Sequence, residues 1–326
     1  MADVAAHRLS EEEKQRLLHP AVGGVILFRR NYQNRSQLQA LCAEIKALRT
    51  PELVIAVDHE GGRVQRFIEG FTRLPAMSTL GGIWEKQGQV AAEAAAEQVG
   101  WVLATELRAC GVDLSFTPVL DLDWGQCAVI GNRSFHCQAD TVTALALALQ
   151  RGLNRGGMQS CGKHFPGHGF VSGDSHHVLP EDPRSLAELM AADIQPFRAL
   201  AAEGMAAAPH IPCVGLDAGE LTDLLQEYKD LGIRHVVALR GDIPSGMGLG
   251  TTGLHHANEL VELIRHRFGD WFHIEVAAYP EYHPQSRSAE DDIQSFVRKV
   301  KAGADSAITQ FFFNADAYFR FLDDVH

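Results

Sequence analysis

Short apolar runs rich in Val, Ile and Phe alternate along this chain with longer stretches in which apolar residues recur every three or four positions. Runs of the first kind predict strands and those of the second predict amphipathic helices. The strand runs are Val25–Phe28, Leu53–Asp58, Asp113–Val119, Met158–His164, Val236–Leu239, Ile274–Ala278 and Ala307–Phe311; with Met1–Ala6 and Met205–Pro212 they make nine candidates. Helices are predicted between them over Ser36–Leu48, Val90–Ala109, Thr141–Leu153, Ser185–Ala202, Glu220–Leu231, Asn258–Phe268 and Ala289–Ala302. Ser10 with Glu13 forms a capping-box pattern, and Gly232, Gly269 and Gly303 stand just beyond helical runs.

Strand then helix, repeated about eight times over this length, predicts an α/β fold of the (β/α)8 TIM-barrel type rather than an open doubly wound sheet. A Gly-x-Gly-x-x-Gly fingerprint after the first strand, the mark of the dinucleotide-binding alternative, is missing from the sequence. In such a barrel function collects where strands end, and polar residues do cluster there. Asp58, His59 and Glu60 follow one strand, Asp121 and Asp123 another, Lys163 and His164 a third, Arg240 and Asp242 a fourth, and Gln310 a fifth. Strand-to-helix loops are polar in any case and use Asp as a helix cap, so each residue alone has a plain structural reading as well.

Composition narrows the chemistry. With 326 residues, 46% of them hydrophobic, the chain is long enough for a substantial core, and it has no apolar run of the roughly 18 residues that a membrane span needs. Met1–Ser10 has neither the basic stretch nor the apolar segment of a secretory signal, which predicts a cytoplasmic protein. Six scattered cysteines without a Cys-x-x-Cys pair read as free thiols. A net charge of −12 without a long Lys/Arg run argues against nucleic acid, and nothing points to a membrane, so a small-molecule substrate is expected.

Three strings in the first two thirds of the chain carry a family resemblance: "AVDHEGGRVQRF" (Ala56–Phe67), "GNRSF" (Gly131–Phe135), and "KHFPGHG" followed by "GDSHH" (Lys163–His177). Residues 1–208 thereby resemble the single-domain β-N-acetylglucosaminidases of glycoside hydrolase family 3, enzymes of bacterial cell-wall recycling. The resemblance implies that Asp58, Arg66, Arg133, Lys163 and His164 bind the sugar, that Asp174 and His176 form the acid/base dyad, and that no cofactor is required. Carboxylates, Lys and Arg suit sugar hydroxyls on their own chemistry, and an imidazole oriented by a carboxylate can protonate a glycosidic oxygen near neutral pH. His168, His176 and His177, in a Gly-rich segment, have solvation and metal binding as alternative readings, but a His-Glu-x-x-His helix is not found and no metal is assigned. A retaining glycosidase needs a second carboxylate at about 5 Å from the acid. The family supplies it from an Asp-rich segment after the seventh strand, and this sequence lacks that segment.

From residue 209 the resemblance changes. "GIRHVVALRGDIP" (Gly232–Pro244), "VAAYPEYHP" (Val276–Pro284) and "GADSAITQFFF" (Gly303–Phe313) make residues 209–326 resemble the FAD-dependent 5,10-methylenetetrahydrofolate reductases. That resemblance implies an FAD site at His210, Arg240, Gly241, Asp242, Ala257, Tyr279, His283, Asp292, Arg298 and Lys299, with Gln310 facing folate. His256 stands where that family often has Tyr. Counterparts of the reductase's first strands, with their catalytic Glu, and of its last two strands are absent from the sequence.

The chain therefore reads as a chimera, and a single composite TIM-barrel domain over residues 1–326 is expected. "AAAPHI" serves as a strand in both patterns, so the join conserves strand order and brings Asp242 to the position of the missing sugar nucleophile. Nine candidate strands exceed the eight of a barrel, which predicts either that Met1–Ala6 is displaced or that Ala307–Phe311 stays outside the ring or replaces the first strand. Two substrates follow, an N-acetylglucosaminide or a folate. A scaffold without turnover is the third reading.

Overall fold

The computed structural model describes residues 1–20, 22–172, 182–203, 209–213, 217–230, 232–240, 253–283, 286–309 and 315–325. The chain divides into two compact units, Met1–Met205 and Ala206–His326, parting within a few residues of the place where the resemblance changes.

In the first unit the strands are β1 (Ala2–Asp3), β2 (Gly24–Leu27), β3 (Val54–Val57), β4 (His59–Gly61), β5 (Val64–Gln65), β6 (Leu114–Ser115) and β7 (Gln159–Ser160). The helices are α1 (Glu11–Leu18), α2 (Arg35–Lys46), α3 (Met77–Gln87), α4 (Gln89–Ala109), α5 (Ala139–Arg155), α6 (Leu186–Ala191) and α7 (Gln195–Ala202). Five strands form a parallel sheet in the order β1-β2-β3-β6-β7. Met1–Ala6 is thus not displaced from its neighbour: Ala2 pairs with Val25 and Asp3 with Ile26. Alternate residues of β2 and β3, among them Val25, Leu27, Ile55 and Val57, are fully buried, with Leu38, Leu41 and Ile45 of α2 in the same core.

The second unit holds β8 (His210–Pro212), β9 (His235–Leu239), β10 (His273–Ala278) and β11 (Ser306–Thr309), with α8 (Ala218–Asp230), α9 (Ala257–Phe268), α10 (Ala289–Lys301) and α11 (Ala315–Val325). Its strands form a parallel sheet in the order β11-β10-β9-β8. Val236, Ala238, Ile274 and Val276 are buried on one face, in the same unit as buried Leu260, Val261 and Ile264 of α9.

Parallel strands alternating with helices match the expected α/β class. The described strands form these two sheets and the β4–β5 hairpin, and no pairing among the described residues joins them into a closed ring. Each predicted strand has a counterpart among the described residues, and four of them, Met1–Ala6, Leu53–Asp58, Asp113–Val119 and Met158–His164, are shorter than expected, several because the chosen run ends in polar residues that turn away from the ladder; Met158–His164, for example, keeps only Gln159–Ser160 and a bridge from Lys163 to Val119. One expected helix is broken. Ser185–Ala202 becomes α6 and α7, since Pro196 lacks an N–H and fits only the first turn of a helix, while buried Asp193 between the two is tied elsewhere. The capping box of α1 is present, with the Ser10 side chain accepting from Glu13 N and the Glu13 side chain accepting from Ser10 N. α3, α11 and the small β4–β5 hairpin are additions that the pattern did not signal.

Helices α4 and α5 lie unusually close. A Cβ at Gly152 would meet Glu97 O at 2.0 Å, so only glycine admits this approach.

Candidate functional site

The candidate site grows from the carboxyl ends of β3, β6 and β7 in the first unit. β3 ends at Val57, and the next residues, Asp58 to Glu60, carry the chain over the sheet edge into the β4–β5 hairpin. Glu60 is almost fully buried, which an isolated carboxylate would not tolerate. Two cations resolve this. Arg133 Nε donates to Glu60 Oε2 at 2.9 Å and Arg133 Nη2 to Oε1 at 2.8 Å, a two-point pair. Lys163 Nζ lies 2.6 Å from Glu60 Oε1 and 2.6 Å from Asp58 Oδ1, so one ammonium joins two carboxylates.

Burial alone would push the Glu60 carboxyl upward, but Arg133 and Lys163 reverse the sign and hold it below its ordinary value. Arg133 loses water in the same way, yet Glu60 holds its charge more firmly than usual. Glu60 is therefore an ionised anchor and does not serve as a proton donor.

A second knot surrounds Asp121, which is completely buried after β6. It accepts from His168 N at 2.7 Å and from His164 N at 3.2 Å, and its Oδ2 lies 2.6 Å from His164 Nδ1. One carboxylate thus shapes the whole Lys163–Gly169 turn and fixes the imidazole of His164, whose side chain is about one third exposed. Gly169 packs so closely that a Cβ there would stand 1.8 Å from Leu122 O. Ser134, in the segment that carries Arg133, donates to Asp121 O at 2.6 Å. The segments after β3 and β6 and the turn after β7 are therefore braced against one another.

His59 plays a different part from its neighbours. Its ring packs on Phe67 and Phe71, its Nδ1 is buried without a hydrogen-bond partner, and burial, helped by the Arg66 charge, drives its pKa down to about 4. It is a neutral packing group. The Nε of Arg66 is likewise buried without a hydrogen-bond partner.

Of the expected sugar-binding residues, Asp58, Arg133, Lys163 and His164 are brought together by Glu60 and Asp121. Those two carboxylates were legible only as members of strand-end clusters, and the signal for Glu60 was an acid flanked by cations in motifs after neighbouring strands. Asp174 and His176 lie outside the described residues, as do Gly241, Asp242 and Gln310.

In the second unit Tyr279, His283, Asp292 and Lys299 gather where β10 ends. The Tyr279 and His283 rings are 4.6 Å apart, His283 N donates to Asp292 Oδ2 at 3.1 Å, and Lys299 donates to Ala277 O. Tyr279 and Asp292 also line a cavity of about 440 Å³ with Ile293, Ala317 and Phe321. Ala257 opens α9, Arg240 follows β9, and Arg298 is exposed on α10, where it donates to Ser295 Oγ. His210 is level with Val237 and, through it, with Glu275, four residues before Tyr279; at ~3.3 Å per residue it stands apart from that group.

Known proteins divide the chain in the same way. Residues 1–217 match the model of the glycosyl hydrolase family 3 N terminal domain, and residues 192–326 match that of methylenetetrahydrofolate reductase. A β-hexosaminidase of Neisseria meningitidis serogroup A is 78% identical over 207 residues, which are 64% of this chain and 57% of the relative. One from Chromobacterium violaceum is 64% identical over 207 residues, 64% of this chain and 58% of its own. The chain thus matches somewhat over half the length of these relatives. Among solved structures, NagZ from Neisseria gonorrhoeae in complex with N-trifluoroacetyl-D-glucosamine is similar at TM-score 0.70 and 50% identity, covering 99% of this chain and 88% of that one. A family 3 β-N-acetylglucosaminidase from a Paenibacillus strain is similar at TM-score 0.67 and 25% identity, covering 100% and 55%. Among the described residues no helix is long and apolar enough to cross a membrane.

Proposed function

The chain belongs to glycosyl hydrolase family 3 through residues 1–217, and from that premise we propose that it takes terminal β-N-acetylglucosaminides as substrates. The observation that carries this reading is the Asp58–Lys163–Glu60–Arg133 array, which sets carboxylate, ammonium and guanidinium groups side by side above the sheet. Such an array offers directed donors and acceptors to vicinal hydroxyls, and its charges are already compensated, so sugar binding leaves no ion stranded. The amino-sugar analogue bound to the gonococcal relative and the β-hexosaminidase names of the curated relatives favour the same substrate class.

In this reading Asp58, Arg66, Arg133, Lys163 and His164 grip the sugar. Asp174 and His176 supply the acid and base, and the nucleophile's role falls to Asp242; these three assignments rest on sequence alone. The test is release of a chromophore from an N-acetyl-β-glucosaminide by the purified chain. Turnover that disappears in Lys163→Ala and falls at least tenfold in Asp242→Asn supports it; no turnover at all ends it, and turnover indifferent to Asp242→Asn removes that residue from the mechanism.

A second reading, FAD binding by residues 209–326, is favoured by the reductase match and by the cavity beside Tyr279 and Asp292. A bound flavin would supply hydride chemistry. Tyr279 would give it an aromatic wall, Asp292 a hydroxyl acceptor, and Lys299 and Arg298 the cationic partners of its diphosphate. A purified protein lacking a visible flavin band after incubation with FAD rejects this reading.

A further inference from the structure

The parallel register of β9 and β10 sets His273 directly opposite His235, with ring centroids 5.0 Å apart. Glu275 lies two residues beyond His273, and side chains two apart on a strand share a face, so all three project from the same side of the sheet. The intervening residues Val236, Ile274 and Val276 are fully buried on the other side. Donor atoms of His235, His273 and Glu275 all lie within 4.8 Å of one another.

We propose that His235, His273 and Glu275 form a binding site for a divalent first-row transition ion, of which Zn2+ is the natural probe. Two imidazoles and one carboxylate are a borderline-soft donor set suited to such ions, and three protein ligands leave a position for water. Ligands at about 2.0–2.2 Å around a tetrahedral ion sit roughly 3.3–3.6 Å from each other, within reach of small side-chain rotations from the present spacing.

The surroundings have the character of a supporting shell. His273 Nε2 lies 2.8 Å from Ser306 Oγ, which restrains the ring and leaves Nδ1 as the ligand atom, while Asp305 Oδ2, 4.0 Å from that Nδ1, is held by Arg265 and by Ile274 N. The His273 side chain is 40% exposed, which gives an ion a way in. His235 and His273 come from strands far apart in the sequence, so no motif spacing announces the site.

The experiment is calorimetric titration of the chelator-treated full chain with ZnCl2, paralleled by Co2+ absorption in the visible, for the parent and for His235→Ala, His273→Ala and Glu275→Gln. The expected result is that the parent binds one ion per chain more than the His variants do, and that Glu275→Gln weakens that ion at least tenfold, with far-ultraviolet circular dichroism unchanged. A variant that loses its fold is replaced by Ser306→Ala, expected to weaken the same ion several-fold. The proposal is overturned if the parent takes up no ion, or if stoichiometry and affinity are the same in the parent and in all folded variants.

Discussion

Arg133 meets the buried carboxylate of Glu60 with two parallel hydrogen bonds, at 2.9 and 2.8 Å, while the Glu60 side chain is only 2% exposed. Removing one partner of a buried pair strands the other, at a cost of about 3–5 kcal/mol. Glu60→Gln leaves Arg133 without its counter-ion, while Lys163 keeps Asp58 at 2.6 Å, so chemical denaturation is expected to show a loss of that order. Arg133→Met should cost less than Glu60→Gln, because Lys163 still compensates the carboxylate.

The same carboxyl gives a pH signature. Its folded pKa lies below the ordinary value of 4.5, so its contribution is fully present above that value and is lost as the pH falls through the folded pKa. Melting temperatures of the parent and Glu60→Gln measured from pH 6 down to pH 3 should therefore converge at the acid end. A constant gap would show that Glu60 acts by shape and not by charge.

His59 works in a neighbouring window. Its pKa is depressed from 6.5 to about 4, so the unfolded chain binds the extra proton first. The contribution of neutral His59 is fully present above pH 6.5 and declines toward pH 4, by about 3 kcal/mol at the limit of that shift. His59→Phe keeps the packing on Phe67 and Phe71 and removes the unbonded Nδ1. The variant should have a flatter melting curve between pH 6.5 and 4 than the parent.

Gly169 is a steric prediction. With Leu122 O 1.8 Å from the place of a Cβ, Gly169→Ala must displace the turn that holds His164 and His168. Overpacking of this kind costs about 1–3 kcal/mol. Thermal unfolding should reveal it, and amino-sugar affinity should fall with it.

The alternating apolar runs made the α/β class and the nine strands legible, because a strand buried by helices needs little beyond local sequence to be recognised. Closure of the sheet is another matter. It depends on pairings between distant segments, which periodicity does not encode, and the described strands pair into two parallel sheets and a small hairpin with no pairing that closes a ring. The break at Ala192–Ile194 was readable in Pro196 but was masked by the apolar period running through it. Asp58, Arg133, Lys163 and His164 were legible through their motifs. Glu60 and Asp121 were legible only as members of strand-end clusters, since a buried carboxylate looks like any strand-end acid until its partners arrive from other segments.

Calorimetric titration of the full chain with N-acetylglucosamine tests most directly whether the Asp58–Lys163–Glu60–Arg133 array binds sugar as proposed. Saturable binding at one site per chain is predicted, weakened about 10- to 100-fold in Lys163→Ala, as expected for loss of a charged hydrogen bond worth roughly 1.5–3 kcal/mol. Absence of saturable binding, or equal affinity in the parent and in Lys163→Ala, would contradict it.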